Sequence, residues 1–193
     1  MSREILKNRT SLIFVPMVVL WLSSQAFGLT LRIGASAGYS FVTGALFKEL
    51  YGRGAPLVGG SLSLEFDKNF ELRAEFNYVR LKGHMSLSNE DIALTMRPLV
   101  FAFRFRLVSG KFGPYLGSGI NFIPYKEEYP GRIGDYSNSK VGIQLEGGSY
   151  IFLGPRFFLD LNFRHVSANV IQPLGDMIKL GGIRAGLGVG YAF

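Results

Sequence analysis

Residues 181–193, GGIRAGLGVGYAF, alternate without a break. Ile183, Ala185, Leu187, Val189, Tyr191 and Phe193 fall on one face; Gly182, Arg184, Gly186, Gly188, Gly190 and Ala192 fall on the other. A period of two predicts a strand. The same period recurs over 29–41, 58–66, 70–78, 97–107, 113–122, 141–147 and 157–164. In each, Phe, Leu, Ile, Val or Tyr dominate one face, as with Phe70, Leu72, Ala74, Phe76 and Tyr78. The opposite face carries glycine, small polar residues and charge, as with Glu71, Arg73, Glu75 and Asn77. Pro98 has no amide proton to give to a ladder, so it is expected at a strand start or a bulge. The period slips near Gly147-Gly148, where a bulge is expected and the facing of Tyr150 and Phe152 stays open.

The connections alternate in length. Short polar turns fall at 67–69, 108–111 and 153–156, and longer loops at 42–56, 81–91, 124–138 and 167–177. The first long loop includes a helical turn over 46–51. Eight strands with short and long connections in alternation fit an all-β fold: an eight-stranded antiparallel up-and-down transmembrane β-barrel. A water-soluble barrel would turn its apolar faces inward, and a contiguous outer belt of Phe, Leu, Ile and Val is incompatible with a soluble surface.

Composition sharpens this picture at the amino terminus. Arg3, Lys7 and Arg9 precede an apolar run over 12–22, and Ser24 and Ala26 follow as small residues at a cleavage site. This is the layout of a secretory signal. The expected division is a signal peptide at 1–26 and a barrel at 27–193, with cleavage after Gly28 as second choice. The apolar run is far shorter than the ~20 residues of a spanning helix. Without helical spans, a membrane protein has to close its hydrogen bonds in a barrel. The formal charge is +7, and 25 glycines and 17 phenylalanines suit a small-residue lining and aromatic girdles. There is no cysteine, so disulfides and thiolate metal sites are excluded. Neither metal-ligand spacing nor a phosphate-cradling loop is present, so no metal or cofactor is expected. The basic residues form no cluster with a recognition module, which argues against nucleic acid.

Candidate chemistry lies on the inward positions. Arg32, Arg73, Arg104, Arg106, Arg164 and Arg184 face Glu65, Glu71, Glu75, Glu146 and Asp160. Every base is arginine, whose planar fork pairs with carboxylates in cramped space. An eight-stranded barrel is just wide enough to be filled by its side chains. A plugged, salt-bridged interior follows; the alternative is a narrow channel made selective by these charges.

The chain resembles the small eight-stranded outer-membrane barrels of the outer-membrane protein A type. The resemblance rests on Gly113-Pro114-Tyr115-Leu116-Gly117-Ser118-Gly119-Ile120-Asn121-Phe122 and on the closing Leu187-Gly188-Val189-Gly190-Tyr191-Ala192-Phe193. It implies a Gram-negative outer membrane as location and the terminal aromatics Tyr191 and Phe193 as the signal read by the barrel-assembly machinery. A second resemblance, at His165-Val166-Ser167, is to outer-membrane lipid A deacylases. It implies a lipid A acyl-ester hydrolase with Ser167 as nucleophile, His165 as base and Asp176 as acidic partner, although Asn169 stands one place beyond the family's asparagine. The favoured expectation is a non-enzymatic, monomeric barrel with a structural or surface-interaction role carried by its long loops. Tyr125, Lys126, Glu127, Glu128, Tyr129 and Tyr136 would make the third loop a contact surface. Outer-membrane lipid and lipopolysaccharide are the expected partners of the basic excess. His84 is placed in a loop with no role.

Overall fold

The structure is a computed structural model. It describes residues 29–84, 91–128, 135–171, 177–179 and 181–193; the predicted signal segment and Asp176 lie outside them. The elements are β1 (Thr30–Val42), α1 (Ala45–Tyr51), β2 (Gly54–Phe66), β3 (Phe70–His84), β4 (Asp91–Met96), β5 (Leu99–Arg106), β6 (Phe112–Glu128), β7 (Tyr136–Phe152), β8 (Phe157–Ser167), β9 (Asn169–Ile171), β10 (Met177–Lys179) and β11 (Gly182–Ala192). Each long strand pairs antiparallel with its neighbours, and β11 pairs back onto β1. β4 and β5 act as one strand. Phe76 faces Leu99 and Val79 faces Met96 in a single register across Arg97-Pro98. Pro98 gives no proton there but accepts from the Asn77 amide at 2.9 Å, while the Arg97 amide donates to the Pro124 carbonyl at 3.0 Å. The ring therefore holds eight strands.

The register fixes the width of the ring. Following partners from Arg32 leads through Ser63, Arg73, Ala102, Gly119, Gln144, Val166 and Gly182 back to β1 at Val42, ten residues beyond the start. With ~3.3 Å per residue and ~4.8 Å between strands, this stagger gives a tilt of about 40° and a backbone radius of about 8 Å. Such a lumen holds side chains and little else.

The strands invert their polarity partway up, without a slip in register. On the lower part of β3, Leu72 and Phe76 point out and are half exposed, while Glu71, Arg73 and Glu75 are buried inside. Above Tyr78 the pattern reverses: Val79 and Leu81 are buried inside, and Arg80, Lys82 and His84 point out. β4 and β6 do the same, with Ile92, Leu94, Met96, Ile123 and Tyr125 inside and Thr95, Arg97, Lys126 and Glu128 outside. The lower storey has the polarity of a protein in lipid, and the upper storey that of a protein in water. α1 closes the upper storey: Tyr51 is buried in its apolar core, with Leu50 packed against it. Gly83 lies where β3 meets the helix, and a Cβ there would overlap the Leu50 carbonyl oxygen.

This inversion corrects several expected boundaries. The strands continue through much of 81–91 and 124–138, which were read as loops because their outward face turns polar. Tyr125 and Glu127 are buried inside rather than displayed for contacts, and Tyr129 lies outside the described residues. His84 is the last residue of β3, with Nδ1 2.7 Å from Asp91. The first loop is shorter than 42–56, because β2 begins at Gly54. The fourth carries a small hairpin, with Ile171 opposite Met177. The expected bulge at Gly147-Gly148 does not form: the β6–β7 register runs through unbroken, which turns Gly148 and Tyr150 inward.

If the inversion marks the edge of the bilayer, a charge will be costly below it and cheap above it. Phe101→Arg, in the apolar belt, is expected to cost about 2–4 kcal/mol, and Ala93→Arg, outward in the upper storey, about 0–1 kcal/mol. Urea titration of the barrel in lipid vesicles measures both.

Candidate functional site

The lower lumen is crossed by an unbroken chain of alternating charge. Arg106 pairs with Glu65, and Glu65 with Arg32. Arg32 reaches Glu71 at 3.2 Å, and Glu71 reaches Arg104 at 3.5 Å. Arg104 holds Glu146 with both prongs of its fork, at 2.6 and 3.1 Å. Glu146 lies 3.4 Å from Arg164, which grips Glu75 bidentately. Glu75 pairs with Arg73 at 2.9 Å, and Arg73 with Asp160 at 3.2 Å. All of these residues except Glu65 are buried. The eleven expected interior charges all face this lumen, and ten of them belong to the chain. The arrangement explains the use of arginine: Arg32, Arg73, Arg104 and Arg164 each serve carboxylates from two strands, which a single ammonium on a flexible stem does less well.

Two tyrosines complete the chain, and one of them escaped the sequence reading. Tyr150 donates to Glu71 at 2.8 Å and accepts from Arg104 at 2.5 Å. It is the hub of the lower half, and its facing had stayed open because of the two glycines before it. The parity of Gln144 and Glu146, carried straight through Gly148, was the signal that would have found it. Tyr115 donates to Asp160 at 2.7 Å and lies under the Arg104 guanidinium, 4.2 Å from its ring centre. Gly148 makes room for Tyr115, whose hydroxyl occupies the space a Cβ would need. Tyr150 and Phe158 meet edge to face at 5.1 Å, and Arg32 lies over Tyr150, Phe152 and Phe158 at 5.5 to 5.8 Å. These rings and Arg106 occupy the end of the lumen beside the short turns. Above the charges, Asn121 donates to Gln144 and Gln144 to Glu146, both at 3.0 Å; the apolar upper storey begins there.

Arg184 is the exception. It is 3% exposed, and its Nη1 has no hydrogen-bond partner among the described residues. Its register neighbours are Ser40 and the like-charged Arg164. With no carboxylate in contact, only the longer-range attraction of Glu75 offsets part of its desolvation cost.

The remaining expected residues lie elsewhere. His165 and Ser167 are on the outer wall of β8, exposed, two residues apart on the same face. The register neighbours of His165 are Leu145 and Ile183, and Ser167 faces Ile143. Among the described residues the structure brings no acidic group to them. At the end of the chain, Tyr191 meets Phe157 and Phe193 edge to face at 5.1 and 5.0 Å and accepts from Arg156 at 2.8 Å. The Phe193 amide donates to the Leu31 carbonyl, also at the seam between β11 and β1.

A ring of eight antiparallel strands, apolar outside and charge-filled within, defines the class of small transmembrane β-barrels. The family model described as outer membrane protein beta-barrel domain matches residues 12–193. The chain belongs to that family and is a protein of the bacterial outer membrane. No curated protein matches the sequence. Among solved structures, OprG from Pseudomonas aeruginosa is similar with a TM-score of 0.64 at 13% identity, over 86% of this chain and 95% of that one. Ail from Yersinia pestis, in complex with the heparin analogue sucrose octasulfate, gives 0.56 at 16% identity over 86% and 97%. The N-terminal barrel of Pseudomonas aeruginosa OprF gives 0.53 at 17% identity over 85% and 97%. At such identities these likenesses speak for the fold alone.

The lumen network yields a pair of opposite expectations. Glu71→Gln strips two arginines of a shared carboxylate and is expected to destabilise the barrel by about 3–5 kcal/mol, whereas Arg184→Met removes an unpaired buried charge and is expected to stabilise it by roughly 1–3 kcal/mol. Denaturant titration in micelles, read by circular dichroism, distinguishes the two signs.

Proposed function

We propose that this protein is a non-enzymatic, non-conducting outer-membrane barrel whose role is structural and interactive, carried by its external storey and loops. The observation behind this reading is the succession of two fillings in one narrow lumen. The alternating chain from Arg106 to Asp160 occupies the membrane half, and an apolar core with α1 occupies the half above it. An ion entering from outside meets a dry apolar core first, where its hydration is lost. Beneath it ten of the eleven fixed charges are already paired with one another, and the eleventh, Arg184, is a buried cation that repels a permeating cation. The narrow-channel reading loses support on both counts.

The hydrolase reading lacks a supporting observation. A nucleophile needs a base, an orienting group and an anion hole together. His165 and Ser167 supply at most two of these parts. Tyr191 and Phe193, which meet edge to face at the seam between the first and last strands, remain our candidates for recognition by the assembly machinery.

The purified barrel in planar bilayers is expected to show no steady conductance, and lipid A from cells expressing it to keep its acyl chains by mass spectrometry. Steady single-channel steps would overturn the closed lumen. Loss of an acyl chain that disappears in Ser167→Ala would overturn the non-enzymatic reading.

A further inference from the structure

The outer wall of β3, β4–β5 and β6 is layered row by row. Ala74, Phe101 and Ile120 form one row; Phe76, Leu99 and Phe122 the next. Tyr78, Arg97 and Pro124 follow, and above them Arg80, Thr95 and Lys126. Polarity therefore changes between the second and third rows, where the lipid belt ends. Just above that line, the wall bears a polar hollow of about 420 Å³ lined by Tyr78, Arg80, Arg97, Lys126 and Ser137. Below it, β3, β5 and β6 together with Leu62 and Leu64 of β2 and Leu31 of β1 frame an apolar hollow of about 480 Å³, which Ala74, Ser118 and Ile120 also line. Ala74 and Ser118 open the lower hollow, because they are small residues set among large ones.

The upper hollow carries more cations than its carboxylates neutralise. Arg80 pairs with Glu128 at 3.2 Å. Lys126 pairs with Asp135 at 2.6 Å and lies 3.5 Å from Glu128. Arg97 has no carboxylate partner among the described residues, and Lys82 adds a further charge in the row above. These side chains are exposed or partly exposed, and surface pairs of this kind are weak enough for Arg80 and Lys126 to exchange a carboxylate for a phosphate. At this height in the membrane the available anions are the head groups of outer-leaflet lipids, and each nearby cation contributes to holding them.

We propose that this wall is a binding site for one phosphorylated glycolipid of the outer leaflet. Arg80, Arg97 and Lys126 would hold a phosphate on its sugar head, and the hollow beside Ala74 and Ser118 would take an acyl chain. The occupant is a lipid rather than free phosphate because the charged and apolar hollows share β3 and β6, with one row of side chains between them. The site is on the outside of the barrel and is independent of whether the lumen conducts.

Native mass spectrometry of the purified barrel, released from micelles with added lipid A, tests the assignment. One lipid A is expected to stay bound. The triple substitution Arg80→Gln, Arg97→Gln, Lys126→Gln is expected to weaken retention by about tenfold or more at low salt. Dephosphorylated lipid A is expected to lose a similar factor on the wild-type barrel. The deacylated phosphorylated head group is expected to bind far more weakly than the whole lipid. Ser118→Leu, which fills the lower hollow without touching a charge, is expected to reduce retention with no change in heat-modifiable mobility on gels. Equal retention by the triple variant, or equal binding of the dephosphorylated lipid, would overturn the phosphate site. Equal binding of the head group alone would overturn the lipid as occupant.

Discussion

A lipid bilayer offers no hydrogen bonds, so every amide and carbonyl within it has to find its partner in the chain. The rest of this structure follows from that constraint. It requires β11 to return to β1, and the register of the return sets a stagger of ten residues. Stagger and strand number together fix the lumen at a width that side chains fill. A lumen of that size is dry enough that charge inside it has to be paired. The chain of arginines and carboxylates is thus the interior that a polar-lined barrel of this width requires. It also cross-links strands that are not neighbours in the sheet: Arg164 of β8 holds Glu75 of β3, and Arg104 of β5 holds Glu146 of β7.

Above the membrane the same strands obey the opposite rule. Once the outer wall meets water, its side chains become polar, and the freed interior becomes an ordinary apolar core with α1 packed into it. One continuous ladder carries both storeys, so the change is made by side chains alone. Under the function proposed above, this folded upper storey is the part of the protein available to partners outside the membrane. The outer wall at the junction of the storeys is where apolar and cationic side chains come closest, which is why it suits an amphipathic, anionic ligand.

The eight strands, their antiparallel order, the outward apolar belt and the inward charges were legible in the sequence. Period-two alternation survives in any single strand, and a lipid-facing wall leaves it strong. The errors have one cause. Alternation was read with the apolar face taken as outward throughout, so 81–91 and 124–138 looked like polar loops where the phase reversed, and 92–96 was left out of the fourth strand. Tyr150 was missed for a related reason, since Gly147 and Gly148 carry no side chain to mark the phase.

By itself, then, the sequence determined the class of fold and the set of charges that the barrel would enclose, because both depend on local periodicity and on residue type. Which arginine meets which carboxylate was decided only by tertiary structure. Those pairs join residues up to 89 positions apart, through a stagger set by the whole ring. The same holds for Arg184, which the alternation of 181–193 turns inward. Its lack of a carboxylate partner among the described residues is a consequence of where β8 and β1 place their own side chains around it.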